Sequence, residues 1–271
     1  ETNLRAQKAE LLGYKDWASY VMTSRMAQTT DNVYGILDDL APKAVEKAKI
    51  EAASIQKVIN DSGESFELKP WDWAFYAEKV RAEKYDLDPA LVKPYFEMNS
   101  VIHDGLFFAM NKLYGITFKE RKDLPVYHED VTAYEVFNAD GSAIGLFYMD
   151  PYAREGKRGG AWMSAYVSQS GLKGTKPVIY NAQNIPKPAA GEPTLMTFDE
   201  VSTMFHEFGH AAHGLFSDVK YPSLAGTATA RDFVEFPSQA HEDWMIEPTV
   251  LANYAKHYKT GEPIPQALLD K

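Results

Sequence analysis

Residues 197–214 constrain this chain more than any other stretch. Val201, Met204, Phe205 and Phe208 recur at helical spacing. Thr197 followed by Glu200 fits a capping box, in which hydroxyl and carboxylate satisfy orphan backbone donors. Gly214 is a natural residue on which to end. The pattern predicts a helix of about four turns at 3.6 residues per turn. Inside it lies His206-Glu207-Phe208-Gly209-His210. Residues four apart project from one helical face, so both imidazoles can reach a single tetrahedral zinc ion. Glu207, about 100° further round, stands beside such an ion rather than among its ligands. From there it can take a proton from an attacking water and deliver it to a leaving amine.

The HExxH spacing alone is only moderately specific, since a helix can hold two histidines without binding metal. A zinc site of this kind also needs a third protein ligand. The longer pattern HExxHxxGxxH would supply a histidine, but His213 and Phe216 occupy its glycine and histidine positions. The third ligand must then be a carboxylate from elsewhere. The segment Ala230-Arg231-Asp232-Phe233-Val234-Glu235 offers two. Spacing leaves Asp232 and Glu235 both open.

A chain of 271 residues, 45% hydrophobic, can bury a substantial core in one large domain or two small ones. The net charge of −10 gives no electrostatic footprint for nucleic acid or for an anionic membrane surface. No apolar run approaches the roughly 20 residues that span a bilayer. The absence of Cys excludes disulfides and thiolate metal sites, which fits a cytoplasmic protein. A periplasmic location stays open, because the chain lacks an initiator Met and a leader would have been removed. A monomer is expected.

The predicted organisation is mainly α with a small antiparallel sheet, an α+β chain. Residues 1–125 form a helical segment; residues 126–271 carry the sheet, the HExxH helix and a helix with the third ligand. Helical periodicity runs over 4–29. A second helix begins at Asp31 or Asn32, is interrupted or restarted at Pro42, and continues over 44–59. Pro70 opens a helix over 71–84, and Pro89 seeds another that Gly115 ends. After Pro125 the period becomes two, with Asn138-Ala139-Asp140-Gly141 as a hairpin turn. Strands are expected over 132–136, 144–148, 161–167 and 178–180, with a loop over 184–193.

Two motifs are similar to those of a known family. The run His206-Glu207-Phe208-Gly209-His210-Ala211-Ala212-His213, followed by Asp232-Phe233-Val234-Glu235-Phe236-Pro237-Ser238-Gln239, resembles the thimet oligopeptidase and peptidyl-dipeptidase family. The resemblance extends along the chain through Leu11-Leu12-Gly13-Tyr14, Trp71-Asp72-Trp73 with Tyr85-Asp86-Leu87, and Tyr148-Met149-Asp150 with Arg154-Glu155-Gly156-Lys157. Lys157-Arg158-Gly159-Gly160-Ala161-Trp162 and Val178-Ile179-Tyr180-Asn181 are closer to its bacterial peptidyl-dipeptidase branch.

The resemblance implies a zincin-like core with one Zn2+ held by His206, His210 and Glu235, and Glu207 as general base. Asp232 is implied to orient a ligand histidine, and His213 and Glu242 also match family positions. The implied substrates are short peptides, cleaved to release C-terminal dipeptides, with thimet-type endopeptidase action as the alternative. Family members are longer on both sides, so the chain corresponds to a central region. A later segment supplies oxyanion stabilisation, often worth a factor of about 10²–10³. A non-catalytic zinc-binding fragment is therefore the rival reading.

The remaining candidates are weaker. Gly156 to Gly160 lacks the spacing of a phosphate loop and reads as a tight connection. The strand over 161–167 either pairs with an extended peptide or lies inside the sheet. Trp71, Trp73, Phe75 and Tyr76 read as core. His103, His128, His241 and His257 lack partner spacing.

Overall fold

In the computed structural model, residues 1–85 and 89–270 are described. Asp86 and Leu87, part of one block of resemblance, lie outside them. The described residues fall into two compact units, one within 1–88 and one from Pro89 to Asp270.

The first unit is helical. The periodicity over 4–29 resolves into two helices, α1 (Thr2–Leu11) and α2 (Trp17–Met22). Gly13, at φ +82, breaks the path, and the Asp16 carboxylate caps α2 by accepting from Ser19 N. Pro42, expected to interrupt, sits instead inside one continuous helix, α3 (Thr30–Asp61). Proline leaves one carbonyl of the preceding turn without its donor, and here that turn is exposed, so water can satisfy it. α4 (Trp73–Tyr85) packs Tyr76, Trp73 and Val80 against Ile55 and Ile59 of α3. Trp71 and Phe75, expected in the core, are 79% and 63% exposed, because Trp71 precedes α4 and Phe75 is not among the residues that α4 packs on Ile55 and Ile59.

The second unit holds the sheet. A helical stretch leads into it: Met98–Ser100 (α5), a π-helical turn over Val101–Phe107, and Phe108–Tyr114 (α6), ended by Gly115 at φ +72. Five strands follow: β1 (Thr117–Glu120), β2 (Thr132–Phe137), β3 (Ala143–Tyr152), β4 (Trp162–Val167) and β5 (Val178–Ile185). β1 has no counterpart in the sequence-based expectation.

The sheet order is β1-β2-β3-β5-β4. Three pairings are antiparallel, as expected, but β3 and β5 run parallel, so the sheet is mixed. The reason is topological. β4 and β5 form an antiparallel pair, and β5 inserts between β4 and β3. Among the described residues β4 is thereby left at the edge, paired with β5 alone, which removes the interior reading of 161–167.

The connection from β3 to β4 is held by buried charge. Asp150, 2% exposed, accepts from both terminal nitrogens of Arg154 at 2.6 and 2.8 Å and from Lys157 Nζ at 3.1 Å. Tyr127 donates to the same carboxylate at 2.9 Å. Burial pushes the Asp150 carboxyl up, but these donors outweigh it and hold it below the usual range. The glycine-containing loop thus spends its basic groups on its own fold.

Helix α7 (Phe198–Leu215) lies on this sheet. Its capping box is present: Thr197 Oγ1 accepts from Glu200 N at 3.1 Å, and Glu200 accepts from Thr197 N at 2.7 Å. Phe208 packs against Phe107, Phe118 and Phe147, with ring centroids 6.5, 5.7 and 5.1 Å away. Gly214 does not end the helix. A Cβ there would meet Met163 Cε at 2.7 Å and Ile179 Cδ1 at 2.8 Å, so it allows close approach to the sheet.

Candidate metal centre

His206 and His210 project from α7 with ring centroids 5.0 Å apart. A second helix, α8 (Glu235–Glu242), packs across α7 and begins with Glu235 itself. Gly209 makes the crossing close. A Cβ on it would stand 2.6 Å from Ser238 Cα and 3.1 Å from the His241 side chain. The mid-helix glycine, which costs α7 intrinsic stability, lets α8 carry its first residue to the histidines.

Three ligand-type atoms meet there. Glu235 Oε2 lies 3.3 Å from His206 Nε2 and 2.9 Å from His210 Nε2. One atom from each residue falls within 4.8 Å of the others, and no further group joins them among the described residues. His213, one turn on from His210, is outside this cluster, with its Nδ1 buried and unpartnered among the described residues.

Two of the three, His206 and Glu235, are held from behind. Glu242 Oε1 lies 2.7 Å from His206 Nδ1. Such a contact fixes the tautomer and turns the other nitrogen toward the site. Ser238 Oγ donates to Glu235 Oε2 at 2.9 Å. Burial pushes the Glu235 carboxyl up, but Ser238 and the two imidazoles outweigh it and hold it below its usual range. His210 is pushed down by burial, and its Nδ1 has no partner among the described residues. Asp232 is exposed on the turn just before α8.

Glu207 is not one of the three converging groups. It is 7% exposed, its Oε2 is buried without a partner among the described residues, and burial raises its carboxyl to about 7. The backbone of Met163, on β4, approaches the same carboxylate. Glu207, His206 and Glu242 line a cleft of about 440 Å³ with Ala161 and Asp199. Glu207 and His206 therefore face one opening, with Ala161, the residue before β4, on its wall.

Sequence reasoning missed Ser238, Gly209 and Asn181. Ser238 follows Glu235 by three residues, a helical neighbour spacing that could have drawn notice. Gly209 is signalled by its place inside a helix. Asn181, one of three amides in β5, donates from Nδ2 to the Glu207 backbone carbonyl at 2.6 Å.

The whole chain, residues 1–271, matches peptidase family M3. This chain belongs to that family. Within M3, it is 51% identical over 268 residues to the dipeptidyl carboxypeptidase of Escherichia coli (strain K12), covering 99% of this chain and 39% of that protein. It is 40% identical over 272 residues to oligopeptidase A of the same organism, covering 99% and 40%. The thimet-like oligopeptidase of Dictyostelium discoideum is 35% identical over 285 residues, covering 99% and 42%. The chain thus spans about two-fifths of the length of these M3 relatives.

Proposed function

We propose that this chain is the catalytic region of a zincin-like zinc peptidase that hydrolyses short peptides and releases C-terminal dipeptides. The observation that carries the proposal is the convergence of His206 Nε2, His210 Nε2 and Glu235 Oε2 from two helices. Two imidazole nitrogens and one carboxylate oxygen form a donor set that suits a catalytic zinc ion and leaves a position open. Zinc bound there would acidify the attacking water and polarise the scissile carbonyl.

The chain's own residues do the rest. Glu242 keeps His206 in the ligating orientation, and Ser238 fixes the oxygen that Glu235 offers. Glu207 takes the proton of the attacking water and returns it to the departing amine. The free side of β4 pairs with the extended peptide, placing its backbone beside Glu207. The higher identity to the dipeptidyl carboxypeptidase than to oligopeptidase A supports dipeptide release over endopeptidase action.

The test has two parts. The chain is expected to bind one equivalent of zinc, lost in His206→Ala or Glu235→Ala and largely kept in Glu207→Gln. The intact protein should lose peptidase activity in Glu207→Gln; persistent turnover would overturn the assignment of the base. Equal cleavage of free and C-terminally amidated peptides would shift the mode to endopeptidase.

A further inference from the structure

β5 presents two buried amides to α7. Asn181 is 2% exposed and Gln183 3% exposed, and as alternate residues of one strand they share a face. Both reach the helix through its backbone rather than its side chains. Asn181 Nδ2 donates to Glu207 O at 2.6 Å, and Gln183 Nε2 donates to Glu200 O at 3.4 Å. Those carbonyls are two turns apart on α7. A helix held only by apolar packing can slide or roll slightly; one gripped at two carbonyls cannot.

The amides are costly where they stand. Asn181 Oδ1 and Gln183 Oε1 are both buried and find no donor among the described residues. A leucine or methionine would fill such space without a buried acceptor. Stability alone does not favour this choice.

Their position suggests what it does favour. The metal ligands belong to α7 and α8, which are joined through Gly209 and Ser238. The edge strand belongs to the sheet, where Asn181 pairs in register with Met163 of β4. Asn181 therefore links the neighbour of the edge strand to the backbone of Glu207 itself. We infer that Asn181 is a positioning residue, seconded by Gln183, that sets the sheet edge relative to the Glu207 carboxylate without contributing to metal binding. The inference rests on the peptidase reading above.

The experiment uses the intact protein. Asn181→Leu should retain one equivalent of zinc with unchanged affinity and an equal or higher melting temperature. Its KM should stay within about twofold while kcat falls at least tenfold. Asn181→Ser, too short to span to the carbonyl, should show the same split, and Gln183→Leu a smaller one of two- to threefold. Unchanged kcat in both Asn181 variants overturns the inference. So does a kcat loss matched by lost zinc or by failure of both to fold, since either assigns a structural role. Wild-type protein without peptidase activity, or an active Glu207→Gln control, would instead sink the peptidase reading.

Discussion

Helices α3 and α7 make opposite use of similar chemistry. α3 is 32 residues long and buries only Ile55 and Ile59, whereas α7, at 18 residues, buries ten. Along α3, Tyr34, Ile36, Leu40, Val45 and Ile50 are exposed, and ion pairs such as Lys43–Asp39 and Lys57–Asp61 decorate its surface. Local terms shape it, so it tolerates a proline in its interior. α7 is fixed by a capping box, aromatic packing, two amides from the sheet and the crossing of α8. A cluster of side chains drawn from two helices tolerates little displacement, and a helix held from several sides suits it.

Matched glycines give the widest contrast. Gly209→Ala would place a methyl 2.6 Å from Ser238 Cα, where backbone blocks it, and α8 must move by most of an ångström. We expect destabilisation of about 1–3 kcal/mol from overpacking. Zinc affinity should fall roughly ten- to a hundredfold as Glu235 and Ser238 are carried away together. Isothermal titration and thermal unfolding would measure both. Wild-type affinity in this variant would mean that α8 does not depend on the close crossing.

The cap of α7 comes next. Thr197→Ala removes the hydroxyl that accepts from Glu200 N and breaks the reciprocal box. The expected loss is about 1 kcal/mol. Hydrogen exchange should localise it to the first turn of α7, leaving zinc stoichiometry unchanged. Protection lost as far as His206 would show that the helix is less firmly packed than its burial implies.

What the sequence made legible follows the same division. The HExxH face and the capping box could be read because both are fixed by spacing within one helix. Glu235 could not be separated from Asp232 by spacing; resemblance alone favoured it. Gly214 was misread as a stop because the sheet residues that need its missing Cβ, Met163 and Ile179, are distant in sequence. The parallel β3–β5 pair depends on strand insertion, which alternation along a strand does not encode. Pro42 failed as a breaker because solvent replaces the lost donor. Asn181 does not stand out among the three amides of β5, and its target is a backbone carbonyl, which leaves no trace in sequence.

Gly35→Ala should run opposite to Gly209→Ala. A Cβ at Gly35 meets nothing within 4 Å, and the residue lies inside α3. Removing glycine's excess backbone freedom from an exposed helix interior should stabilise by about 0.5–1 kcal/mol. Circular dichroism at increasing denaturant would detect it as a higher midpoint. A decrease would place an unseen packing demand on that face of α3.

The smallest effect is expected for Lys43→Ala. Lys43 Nζ lies 2.7 Å from Asp39 Oδ1, yet both side chains are about 70% exposed. An exposed pair one turn apart gains little in high dielectric and spends side-chain entropy to form. Alanine also has the higher helix propensity, which offsets what is lost. The denaturation midpoint should therefore not move beyond experimental scatter, and added salt should not change that result. A loss as large as that of Thr197→Ala would mean that the surface pairs of α3 carry real stability, and α3 would no longer contrast with α7.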